Sequence, residues 1–150
     1  MEGIFHGEDE MTVDEKGRMS IPAHYRDVLG PAVYLGRGLD GQINVYPTRL
    51  WESMAETLRQ ADQDLPAIRN ASRFVLAANL AEFDRTGRVT VPNLLRRYAG
   101  ITNMAVVVGN LDRLEIWSPD QWLEKCAEVV KQGRSKVDDP KVMDSLGLKL

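Results

Sequence analysis

The chain has 150 residues, 43% hydrophobic and 27% charged, the make-up of one compact domain or two very small ones. It has no apolar run near the length of about 18 residues that suggests a membrane span. Its first ten residues lack the basic-then-apolar order of an export signal, and its only cysteine, Cys126, cannot form an intrachain disulfide, so a cytoplasmic protein is expected.

The net charge is −3, but the charge is unevenly spread. Residues 1–15 hold six acids and no Lys or Arg, whereas 85–97 hold four arginines and no acid. Any basic surface is therefore a small patch, and a net charge near zero neither requires nor excludes a nucleic-acid partner.

In chain order, an alternating strand is read at Glu10–Val13. It runs into the turn Asp14-Glu15-Lys16-Gly17, where Asp can bond backbone N–H groups two residues on and Gly supplies a positive φ. A second strand, Arg18–Ile21, follows. Pro22 sits where a helix can begin, and the helix Ala23–Leu29 ends at Gly30. Strands Ala32–Gly36 and Ile43–Pro47 come next, then a longer amphipathic helix with Trp51 near its start. A connecting helix opens around Asp64 and Pro66, with Ile68, Ala71, Val75 and Ala78 on one face; periodicity leaves Phe74–Leu80 open between helix and strand. From Leu80 the same order repeats: strand Leu80–Phe83, turn Asp84-Arg85-Thr86-Gly87, strand Arg88–Val91, Pro92, helix Asn93–Ala99, Gly100. Two strands and a helix opening at Ser118-Pro119 close the second copy. The tail after Lys131 is expected to fray, although Val142, Met143, Leu146, Leu148 and Leu150 could pack on something.

The repeat is specific. At an offset of 70 residues, Asp14, Gly17, Arg18, Pro22, Arg26 and Gly30 meet Asp84, Gly87, Arg88, Pro92, Arg96 and Gly100. Leu39–Pro47 then pairs with Leu111–Pro119, and Trp51 with Trp122. The organisation read from this is a first repeat over 1–62, a connecting helix over 63–79, a second repeat over 80–131 and a flexible tail over 132–150. One copy alone is too small a sheet to bury much. Two copies about an approximate two-fold axis can pair their edges and close a barrel, which is a homodimer fused into one chain. The expected class is α+β, a pseudo-two-fold β-barrel with flanking helices.

The duplicated turn then becomes a duplicated site. Arg18 and Arg88 start strands straight after a glycine, so each guanidinium projects from a rigid turn toward a planar acceptor, guanine O6/N7 or phosphate. Lys16 and Arg85 lie in the same turns, within reach of phosphates, and Ser20 and Thr90 can donate to backbone oxygens. Arg26 and Arg96 recur inside helices and are read as structural, paired with an acid of a neighbouring element. Asp14 and Asp84 invite an aspartic-protease reading, but that chemistry favours Asp-Thr/Ser-Gly, and here Glu15-Lys16 and Arg85-Thr86 follow; the carboxylates are read as turn caps. His6 and His24 have no metal-ligand spacing, Leu35–Gly41 does not match a nucleotide loop, and no metal or cofactor is expected.

The doubled Asp-x-x-Gly-Arg turn, the order of elements and the early Phe5-His6-Gly7 resemble the MraZ family, bacterial transcription regulators built from two fused AbrB/SpoVT-like swapped-hairpin domains. The similarity covers about residues 4–130. It implies a β-barrel with flanking helices, assembly into rings of several subunits, and binding to short direct repeats upstream of the division and cell wall gene cluster, the protein's own gene included. It implies double-stranded DNA as partner, a nucleoid location, and DNA-reading roles for Lys16, Arg18 and Arg88. The chain departs from the pattern at Thr86, where the basic residue has moved one place back to Arg85. A purely structural ring or partner-binding scaffold is the alternative.

Overall fold

The computed structural model describes residues 4–135 and 145–148. In chain order its elements are β1 (Glu8–Thr12), β2 (Arg18–Ser20), α1 (Ala23–Leu29), β3 (Ala32–Arg37), β4 (Ile43–Pro47), α2 (Thr48–Gln60), α3 (Pro66–Leu76), β5 (Asn79–Glu82), β6 (Arg88–Thr90), α4 (Asn93–Ala99), β7 (Met104–Asn110), β8 (Arg113–Trp117) and α5 (Pro119–Ser135). Two compact units divide the chain at Pro119/Asp120. In the second, α5 runs to Ser135, into the stretch read from sequence as tail, and a Lys125–Glu128 pair at 3.4 Å joins successive turns. Of the rest of that tail, residues 136–144 and 149–150, with Val142, Met143 and Leu150, lie outside the described residues.

In the first unit, six strands pair in the order β1-β7-β8-β4-β3-β5, all antiparallel, and β2 pairs separately with β6. The order is palindromic under exchange of the two motif copies: β1 for β5, β7 for β3, β8 for β4. Register follows the same symmetry. Met11 faces Ala105 as Ala81 faces Val33, and Asp9 faces Val107 as Asn79 faces Leu35. Each motif copy therefore lends its first strand to the other copy's sheet, and the two second strands meet each other at Met19↔Val89. This is a swapped hairpin within one chain.

The expected closed barrel is not what the pairing shows. Among the described residues β1 and β5 end the sheet and do not pair with each other. The reason lies in the turns. At Asp14 and Asp84 the chain leaves the edge and enters three-residue strands that pair as a separate ribbon, joined to the incoming chain by a Val13↔Met19 bridge and by the Asp14 and Asp84 N–H bonds to the Arg18 and Arg88 carbonyls. The ribbon packs on the shared core instead of continuing the sheet.

The core fills the space between sheet and ribbon. Met19, Ile21, Val89 and Val91 point in from the ribbon side, each 1% exposed, and meet Val33, Leu35, Val107, Leu114 and Ile116. Tyr25 and Leu29 of α1, and Leu95 and Ala99 of α4, close the ends at the four-residue spacing of one helical face. Burying each large apolar side chain is worth about 1.5–3 kcal/mol, so the inner row of the ribbon is firmly seated. Pro22 and Pro92 stand at the N-cap in extended conformation, one place before the first helical turn where the sequence reading put them. The ambiguous stretch Phe74–Leu80 divides: helix to Leu76, strand from Asn79, because Asn79 and Leu80 find partners in Leu35 and Tyr34. Trp51 stacks on Tyr34 at 3.9 Å and donates Nε1–H to the Val75 carbonyl at 3.0 Å, fastening α2 and α3 to the sheet.

Candidate nucleic-acid interface

The ribbon places the doubled motif. Successive side chains of a strand face opposite sides, so with Met19 and Val89 pointing in, Arg18, Ser20, Arg88 and Thr90 all face out. Cross-strand register sets Arg18 beside Thr90 and Ser20 beside Arg88. The outward face of a two-stranded ribbon thus carries two guanidinium groups and two hydroxyls, related by the pseudo-two-fold axis.

Each turn is built the same way. Gly17 N–H bonds the Asp14 carbonyl at 2.9 Å, and Gly87 N–H the Asp84 carbonyl at 3.0 Å. One carboxylate oxygen of Asp14 accepts from the backbone N–H groups of Lys16 and Arg18, both at 2.9 Å. Asp84 repeats this with Thr86 and Arg88, and adds the Thr86 hydroxyl at 2.8 Å. The second oxygen accepts the Nε–H of the motif arginine, 2.6 Å for Arg18 and 2.9 Å for Arg88. Gly17 and Gly87 have φ of +81° and +80°, a region closed to most side chains.

The electrostatics follow. Hydrogen bonds from the Arg18 backbone, outweighing partial desolvation, hold the Asp14 carboxyl below its ordinary value, and the Arg88 backbone does the same for Asp84. Both stay ionised at neutral pH. A shared-proton dyad needs one carboxyl raised, so the protease reading has no support in this geometry. Arg88 Nη1 also lies 4.0 Å from Asp14 Oδ2, across the axis. The two turns therefore sit side by side, as the duplication implied.

Arg18 and Arg88 are each about a third exposed, at 36% and 35% of the side chain. Each meets the carboxylate of its own turn through Nε, and Arg88 also faces Asp14 of the other turn through Nη1. Lys16 and Arg85 are exposed, and among the described residues no ion pair or side-chain hydrogen bond holds either. The structure thus brings all four expected basic residues to the two turns, two buttressed and two free. The acids expected to pair with Arg26 and Arg96 are replaced by carbonyls: Arg26 Nε–H donates to Ile21 O at 2.9 Å, and Arg96 Nε–H to Val91 O at 3.0 Å.

Sequence reading missed a polar cluster where β4 meets β8. Glu115, 6% exposed, takes hydrogen bonds from Gln42, Asn110, Trp117 and Arg113, at 3.1–3.2 Å. Its alternation within Arg113–Trp117 gave no sign that the charged position was covered. Tyr25 was also missed as a tether: its hydroxyl donates to the His6 carbonyl at 2.5 Å, so exposed His6 contributes its backbone. Among the described residues there is no cluster of His, Cys, Asp or Glu fit to hold a metal, and no helix long and apolar enough to cross a membrane.

Fold and turns together define a class: two swapped-hairpin halves fused in one chain, displaying a doubled basic turn. The family described as "MraZ protein, putative antitoxin-like" matches this sequence twice, over residues 4–74 and 74–142. The chain is similar to the transcriptional regulator MraZ of Herpetosiphon aurantiacus, 42% identical over 120 residues, covering 79% of this chain and 84% of that one. Against the transcriptional regulator MraZ of Moorella thermoacetica it is 40% identical over 134 residues, 86% of this chain and 91% of the relative. Against that of Thermomicrobium roseum it is 37% identical over 133 residues, 88% and 94%. The chain belongs to the MraZ family. Its relatives are named as regulators of transcription, not as enzymes.

Proposed function

We propose that the chain is a sequence-specific DNA-binding transcriptional regulator. Its targets are short direct repeats upstream of the division and cell wall gene cluster, its own gene included. The two repeats span 1–62 and 80–131, joined by 63–79. The observation that carries this reading is the outward face of the β2–β6 ribbon: Arg18, Ser20, Arg88 and Thr90 on one surface, with exposed Lys16 and Arg85 in the flanking turns. A two-stranded ribbon fits the major groove, and arginine is the side chain that reads guanine O6 and N7 as a bidentate pair.

One observation favours the scaffold reading. Both arginines already contact a carboxylate. Magnitudes decide between the two. A partly exposed ion pair contributes about 0–1 kcal/mol, while a bidentate guanine contact contributes about 1–3 kcal/mol of discrimination. The turn's own aspartate takes a hydrogen bond from Nε and orients the guanidinium; Asp14 also faces Arg88 Nη1, at 4.0 Å, beyond hydrogen-bond distance, so the bidentate donors are left for a base. The pair reads as a buttress for recognition, not a substitute for it.

Two arginines and two flanking cations give one chain a modest grip, and the acidic net charge opposes approach. Tight binding then needs several linked copies, whose avidity can add about 10²–10⁴ in affinity. The protein accordingly acts as a homo-oligomer, a ring on adjacent repeats, with Trp51–Leu58 and Trp122–Val130 as candidate interface and the nucleoid as its location. The test is retardation of duplex DNA from upstream of its own gene over a salt series. Affinity should fall steeply as salt rises, in proportion to the phosphates neutralised. Absent retardation at low salt, or binding indifferent to salt, would overturn the reading.

A further inference from the structure

We propose that Arg26 and Arg96 are positioning residues that act crosswise, each setting the basic turn of the opposite motif copy. The functional half of this inference rests on the DNA-binding reading; the structural half does not.

The geometry is reciprocal. Arg26 is on α1, in the first copy, yet its guanidinium lies against Gly87 in the second: a Cβ built on Gly87 would fall on Arg26 Cζ and Nη1, and within 2.7 Å of its Nε. Arg96 is on α4, in the second copy, and lies against Gly17 in the first: a Cβ there would come within 2.7 Å of Arg96 Nε and 2.8 Å of Cζ. The backbone closes each unit. Ile21 N–H bonds the Gly87 carbonyl at 3.2 Å, while the Ile21 carbonyl takes the Nε–H of Arg26. Val91 N–H bonds the Gly17 carbonyl at 2.8 Å, while the Val91 carbonyl takes the Nε–H of Arg96.

A planar guanidinium can lie flat on a glycine and donate to a carbonyl at its edge; a lysine ammonium cannot do both. Each arginine so fixes the height of a glycine whose next residue is the motif arginine: Arg26 sets Arg88, and Arg96 sets Arg18. Glycine at both positions then has a second cause besides its positive φ. The flanking arginine occupies the room a Cβ would need.

Two measurements test this on the full-length protein. The first is amide hydrogen exchange, which needs no DNA. In R26A, exchange at Thr86, Gly87 and Arg88 should quicken by about tenfold or more, with little change at Lys16, Gly17 and Arg18; R96A should show the mirror pattern. R26K should not restore protection. Loosening of the same copy's turn, or of both turns equally, would overturn the crosswise assignment. If R26A does not fold, R26Q, which keeps a donor for the Ile21 carbonyl, carries the same comparison. The second measurement is a double-mutant cycle on affinity for the upstream duplex. R26A should be non-additive with R88A, the pair within about twofold of R88A alone, and should multiply with R18A. A structural role without positioning would lower thermal stability but couple alike to both turns. Crosswise exchange in a protein that binds no duplex would retain the holding geometry and remove the DNA-binding reading alone.

Discussion

Gly87→Ala, alone and in an R26A background, separates the two reasons for a turn glycine. At φ of +80° an alanine is strained by about 1–2 kcal/mol. Its Cβ also enters the volume of the Arg26 guanidinium. Arg26 can swing away, but the Nε–H bond to Ile21 O then breaks, at about 0.5–1.5 kcal/mol. The sum is a loss of about 1.5–3.5 kcal/mol. With Arg26 already removed its share falls away, and the φ strain of about 1–2 kcal/mol remains. At Gly17 a Cβ meets the Val91 carbonyl oxygen at 2.8 Å as well as Arg96. That oxygen is backbone and cannot swing aside, so R96A should relieve only part of the loss in G17A. Urea denaturation midpoints of the four single and double glycine variants, the two arginine variants and the wild type, at unchanged slope, give the comparison. Equal losses for G87A with and without Arg26 would refute the reasoning.

Two further outcomes follow from single contacts. Tyr25→Phe removes the donor to the carbonyl of exposed His6, and should lower stability by about 0.5–1.5 kcal/mol in urea unfolding without disturbing the ribbon. Asp14 and Asp84 are depressed below the ordinary value of 3.8, so what their ionised forms contribute is fully present above that value and is lost as pH falls through the depressed ones. Carbon-detected carboxyl titration should put both midpoints below 3.8, and D14N should abolish the acid sensitivity of its own turn; a midpoint at or above 3.8 for either would contradict the turn geometry.

What could be read in the sequence was what repeats. Asp14/Asp84 and Gly17/Gly87 are local chemistry, and a turn that depends on a carboxylate two to four residues away writes itself into spacing. The same holds for Pro22/Pro92 followed by a short helix. Closure was not legible, because the choice between continuing a sheet and starting a ribbon depends on how far β2 and β6 are displaced over the core, which no local pattern records. The crossed arginines were half legible: Arg26 and Arg96 recur and were read as structural. Their partners, however, are a carbonyl and a glycine face from the other copy, and neither leaves a mark in composition. Glu115 was invisible for a related reason. Its hydrogen-bond donors come from Gln42, just before β4, and from β7 and β8, and its place beside Asn44 emerges only when the two copies pair.

The most direct test of the account is affinity of the R18A/R88A double variant for duplex from upstream of the protein's own gene, measured at one fixed near-physiological salt beside the wild type. Two lost bidentate contacts at about 1–3 kcal/mol each predict weakening of about thirtyfold or more, with oligomeric state and melting temperature near those of wild type. A folded double variant, assembled as the wild type is and binding that duplex equally well, would contradict the account.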